Sequence, residues 1–105
     1  MADVYISTGT LLGSTAETTI YSGTTGSAIV NSIYVANVTT ISRDVTVKLV
    51  RGSTGYTIAH EMAVPPNSTL QPVDSPLVLQ ASDTITATGS TSDAFHVVLS
   101  ALEVY

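Results

Sequence analysis

Apolar residues in this chain recur at every second position, and no stretch of helical length places them at i, i+3, i+4 and i+7. In "DVTVKLV" Val45, Val47 and Leu49 share one face, with Thr46 and Lys48 on the other. "TITAT" sets Ile85 and Ala87 against Thr84, Thr86 and Thr88. "YTIAHEM" groups Tyr56, Ile58, His60 and Met62 opposite Thr57, Ala59 and Glu61. Successive side chains of a strand point to opposite faces, so this period predicts half-buried strands. "AIVNSIYVANV" and "AFHVVLSALEVY" are apolar on both faces over part of their length, which predicts strands covered on both sides.

Turn signals separate the runs. "SGTTGS" divides "TTIYS" from "AIVNSIYVANV", and "TTISRD" precedes "VTVKLV". "RGSTGY" reads as a hairpin with a four-residue, glycine-bounded loop, and "GSTSD" reads as joining the last two strands in the same way. Pro65 and Pro66 cannot donate to a ladder, so the strand from Tyr56 ends there or lies at an edge. Pro72 and Pro76 bracket a short connector before "LVL", and the segment from Val64 to Gly89 reads as a crossover between sheets. Strands spaced by about 8–12 residues with such turns predict an all-β, antiparallel β-sandwich, jelly-roll-like, with about eight strands. Residues 17–105 form that single domain, and residues 1–16 read as an extended N-terminal arm reaching a neighbour.

A chain of 105 residues with 44% apolar content can bury roughly two-thirds of its unfolded surface. Charged residues are only 10%, against about 25% in ordinary soluble domains. Ser and Thr, 30 residues together, fill the gap and keep a surface wet without charging it. So little charge leaves a monomer poorly protected against association, which fits life inside an assembly as well as an ordinary secreted β domain. The net charge is −5, and Arg43, Lys48 and Arg51 are the basic residues besides two histidines. Three cations neutralise few phosphates, so nucleic acid and anionic membranes are not expected partners. No apolar run reaches the roughly 20 residues of a helical membrane span, there is no cysteine for a disulfide framework, and the N-terminus lacks the pattern of a signal peptide. A product that leaves the cell is expected to do so by a route such as lysis.

Catalytic chemistry is thinly represented. His60 and Glu61 are adjacent in "AHEMA", but a zinc protease needs a second histidine three residues after the glutamate, on a helix, and Val64 stands there. On a strand the two side chains point apart, and His60 reads as an interface or partly buried, hydrogen-bonded histidine. His96 is expected to face away from Phe95 and Val97, and a His60–His96 pair would have no carboxylate at matching spacing. None of the 13 serines sits in a nucleophile elbow. "SGTTGS" lacks the lysine and helix of a phosphate loop. Asp74, Asp83 and Asp93 are spread through loops, where a weak Ca²⁺ site is conceivable, and "NVT" and "NST" match a glycosylation sequon by chance in a Thr-rich chain. No enzyme activity, cofactor or metal is expected. Five tyrosines could meet glycans; Tyr34 and Tyr56 are expected to pack within strands, and Tyr5 and Tyr105 to dock on a partner.

"TTIYSGTTGSAIVNSIYVANVT", "MAVPPNSTLQPVDSPLVLQASDTITATGST" and "AFHVVLSALEVY" resemble, in order, the opening, middle and end of a family of small β-sandwich proteins encoded in the structural gene clusters of tailed bacteriophages. The likeness runs from about Thr18 to Tyr105. It consists of strand and turn patterns: Tyr before a turn, a "V-P-x-x-x-T-L" turn, and a final strand carrying a glutamate near its end. Two positions depart from it. Ser22 and Gly23 stand where the family has Val-Pro, and Ser82 stands where it has glycine.

The resemblance implies a virion structural protein assembled in the host cytoplasm, a capsid decoration or cement protein or a tail piece. Its partners would be the major capsid protein or other virion proteins, and other copies of itself, with a trimer favoured because decoration proteins often sit on three-fold sites. Candidate partner contacts are Val4, Tyr5, Ile6, Leu11, Leu12 and Tyr105. A tail or fibre module touching host glycans is the alternative, and a cellular β-sandwich adhesin the third reading.

Overall fold

The computed structural model describes residues 3–23, 26–73 and 76–104. Among the described residues nine strands follow one another: β1 (Asp3–Leu12), β2 (Thr18–Ser22), β3 (Ser27–Asn37), β4 (Arg43–Arg51), β5 (Thr54–Val64), β6 (Thr69–Val73), β7 (Leu77–Leu79), β8 (Thr84–Gly89) and β9 (Phe95–Val104). They form two antiparallel sheets. One has the order β1-β9-β3-β6, with β7 also on β3; the other has the order β2-β8-β4-β5. These are the strand orders of a jelly roll. The expected β-sandwich is therefore present, and the count of nine reconciles with eight. β6 and β7 run in the same direction along β3, Val35 pairing Leu70 and Val30 pairing Leu77, so together they take the place of one jelly-roll strand.

Alternation sets the core. In β9, Phe95, Val97, Leu99 and Ala101 are buried, while His96 and Val98 between them are exposed. Inward residues of β3, β4 and β8 meet them, among them Ile33, Val47 and Ile85, all fully buried. The segment from Val64 to Gly89 does cross between sheets, leaving the second sheet after β5 and returning to it at β8.

Three expectations change. The loop between β4 and β5 is a two-residue turn, Gly52–Ser53, with Arg51 paired to Thr54 and Gly52 at a φ of 64° that an L side chain rarely adopts. The loop after β8 is not a hairpin, because β8 and β9 lie in different sheets. It is pinned by three backbone bonds: Ser90 N–H to Asp44 O, Asp93 N–H to Leu12 O and Val38 N–H to Ala94 O, each 2.9 Å. Finally, residues 3–12 of the expected arm are extended but lie along β9 in unbroken register, from Asp3 opposite Val104 to Leu12 opposite Phe95.

Candidate interaction surface

The outward face of the five-stranded sheet can be read row by row from its register. Residues directly opposite one another share a face. Tyr5, Leu102, Ile29 and Val78 form one row across β1, β9, β3 and β7. Ser7, Ser100 and Ser32 form the next, then Gly9, Val98 and Tyr34, then Leu11, His96 and Ala36. Tyr5 is 79% exposed, Leu11 and Val78 are each 55% and Val98 is 45%. From Tyr5 to Leu11 the face runs about 20 Å along the strands and about 15 Å across them. No Lys, Arg, Asp or Glu lies within these rows; Asp3 sits beyond one end. All three Lys and Arg residues are on β4, in the other sheet.

The expected contact residues divide. Tyr5 and Leu11 lie on this face, whereas Val4 is exposed but sits opposite Glu103, on the inward-facing side of β1. Ile6 is half-buried against the core, and Leu12 is fully buried, enclosed in its own chain's core opposite Phe95. Leu12 is thus a core residue, because β1 belongs to the sheet. Tyr105 lies outside the described residues. Tyr34 and Tyr56, expected to pack, are 38% and 55% exposed. Tyr34 projects from the outer face beside Val98.

Polar groups hold this frame. Tyr21, buried in β2, donates its hydroxyl to the Glu103 carboxylate of β9 at 2.7 Å, a tie between the two sheets. Thr8 donates to Ile20 O at 3.1 Å, where β2 bulges between Thr19 and Tyr21, so a polar residue on the inner side of β1 is satisfied. Asn37 is buried. Its amide donates to Ile41 O and Val64 O and accepts from the Thr39 N–H and hydroxyl, so this sequon asparagine is closed to a glycan in the fold.

Asp83, also buried, receives Arg51 on both carboxylate oxygens, Nη2 at 2.6 Å and Nε at 3.0 and 3.1 Å, and the Gln80 N–H at 2.8 Å. The Arg51 hydrogen bonds hold the Asp83 carboxyl below its ordinary range against the opposing effect of burial, and the Gln80 bond adds to them. Asp83 is therefore committed to structure, and among the described residues no three metal-ligand side chains cluster. Asp74 lies outside the described residues.

His60 corrects a further expectation. It is exposed, and its Nε2 lies 3.7 Å from Glu61 Oε2 rather than pointing away from it. The cause is backbone: β5 shifts register against β4, and Glu61 takes a φ of 47°. A bulge of this kind turns neighbouring side chains to one side. The same shifts bring both Ile58 and Ala59 onto the core, against the simple alternation. His60 and His96 lie in different sheets and do not pair.

The fold and this face define a class: a jelly-roll sandwich with one sheet face that carries no Lys, Arg, Asp or Glu and exposes apolar residues on either side of a serine row. Solved structures that share the fold include two from known assemblies. One is a chain from the acid-stable capsid of Helicobacter pylori bacteriophage KHP30, with a TM-score of 0.60 and 9% identity, covering 98% of this chain and 87% of that one. The other is a chain from the Bacillus endospore appendages described as disulfide-linked pili, with a TM-score of 0.59, 15% identity and the same coverages. No protein-family model and no curated protein sequence matches the chain.

Proposed function

We propose that the chain is a non-enzymatic structural subunit of a virion, a capsid decoration or cement protein that stabilises the shell through contacts with the major capsid protein and with its own copies. The observation that carries this reading is the uncharged outer face of the five-stranded sheet, with Tyr5, Leu11, Tyr34, Val78 and Val98 open to solvent. Exposed apolar patches of a few hundred Å² are commonly functional, and this face exposes its large apolar residues in rows on either side of the serines. Burying it contributes about 25 cal/mol per Å², multiplied over many copies of a shell. The phage-capsid likeness supports the reading through the shared fold. The disulfide linkage of the pilus has no counterpart in 105 residues without cysteine, which favours a shell over that kind of fibre.

Immunogold labelling of purified particles with an antibody to the chain tests the proposal. Gold spread over the heads is expected. Gold at the tail alone moves the protein to the appendage reading, where Tyr5 and Tyr34 would be tested against glycans. Particles without gold overturn both.

A further inference from the structure

We propose that the free edge of β1 is a self-recognition site, and that two copies pair β1 to β1 antiparallel across a two-fold axis, joining their five-stranded sheets into one. The pairing does not depend on whether the assembly is viral.

The case rests on a contrast among the four sheet edges. An open strand edge offers unpaired N–H and C=O groups to any passing chain, and proteins guard such edges with short strands, bulges, proline or charge. β2 is five residues long and bulged. β5 shifts register twice and carries His60 and the left-handed Glu61. The β6/β7 edge consists of two short strands, of five and three residues, with Pro72 inside β6 and Pro76 just before β7. β1 has none of these devices beyond Asp3 at its start. It runs ten residues in unbroken register on β9, without proline, lysine or arginine, and with Asp3 its sole charge. Among the described residues the backbone of residues 3–11 pairs with β9 alone.

The occupant follows from the strand's own sequence. With Ser7 opposite Ser7 of the second copy, Tyr5 falls opposite Gly9 in both directions. Gly9 has no side chain and open space above it, in a depression lined by Leu11, His96 and Val98. An aromatic ring laid over a cross-strand glycine is a recurrent stabilising pair. In this register each Asp3 faces Leu11, and the two Asp3 residues stand roughly 27 Å apart, well beyond the screening length at physiological salt. Two chains of net charge −5 therefore meet along β1 without opposed charges. The contact is isologous and two-fold, in place of the trimer suggested by decoration at three-fold sites.

Sedimentation of the intact chain at micromolar to tens-of-micromolar concentration tests the pairing. A dimer is expected. Ser7→Lys, at an exposed position, places two like charges on the axis and should weaken the dimer by about a hundredfold or more while leaving the circular dichroism unchanged. Thr57→Lys on the β5 edge should leave it intact. Ser7→Cys, in a chain with no other cysteine, should form a covalent dimer on mild oxidation, and Thr8→Cys should not. A monomeric or trimeric wild type overturns the proposal, as does a dimer that Ser7→Lys leaves intact.

Discussion

Asp83 concentrates two effects in one side chain: it is buried, and it is ionised because Arg51 and the Gln80 N–H hold it so. Its carboxyl titrates below the ordinary 3.8 in the fold, so the unfolded chain takes up the proton first on acidification. The stabilisation is therefore complete above that ordinary value and disappears as pH falls through the lower folded value. Thermal melts between pH 7 and pH 2 should show Asp83→Asn less stable than wild type at neutral pH, with the gap closing in acid.

The neighbouring Ser82 holds a φ of 68°, in the turn that delivers Asp83. Glycine adopts this left-handed conformation without strain. Ser82→Gly should stabilise the fold by about 1 kcal/mol in urea denaturation, since a left-handed L-residue costs roughly that much. Gly23 is the converse. A Cβ there would lie 2.4 Å from Asp83 O, to which the Gly23 N–H already bonds at 2.7 Å. Gly23 and Ser82 thus belong to the same corner.

Elements built on strict alternation were legible from the sequence: β4, β8 and β9 carry apolar residues at every second place, and nothing interrupts β8 or β9 internally. β1 was not, because Thr8, Gly9 and Thr10 occupy its middle and the hydroxyl of Thr8 is satisfied only by the bulge of a distant strand. β5 misled for a different reason, since a bulge leaves no mark on residue type when the left-handed position is filled by Glu61. The turn after β8 looks like a hairpin turn, and only its bonds to Asp44, Leu12 and Val38 send the chain to the other sheet. The tie between Tyr21 and Glu103 links residues 82 apart, with no local signal beyond a polar residue at an inward position of β9. Tyr21→Phe leaves the Glu103 carboxylate short of that donor and should cost about 1–3 kcal/mol by chemical denaturation. Phe95→Ala removes a fully buried ring that packs on Gly89 and should cost about 3–5 kcal/mol.

For the whole molecule, the outer face and the core make separable demands. Val98 is half-exposed on the face and contributes little to the fold. Val98→Lys should leave the melting temperature nearly unchanged and abolish retention of the chain on particles in a pelleting assay. Deleting residues 2–14 is a poorer probe, because it removes Leu12 from the core and uncovers β9. The apolar character of the face was visible in the sequence as strands apolar on both sides. Its near-complete lack of charge emerged only when the register placed Tyr5, Leu102, Ile29 and Val78 in one row.

The short strands β6 and β7 have a consequence for how far strand pairing can spread. Endless cross-strand growth needs two receptive edges per sheet, one to accept and one to offer. The five-stranded sheet has two short strands with Pro72 and Pro76 along one side and an open β1 on the other, so its valence for strand addition is one. A unit of valence one saturates after a single event. The same ten residues that invite a partner therefore cannot seed a fibre, and concentrated solutions of the chain should remain clear in light scattering.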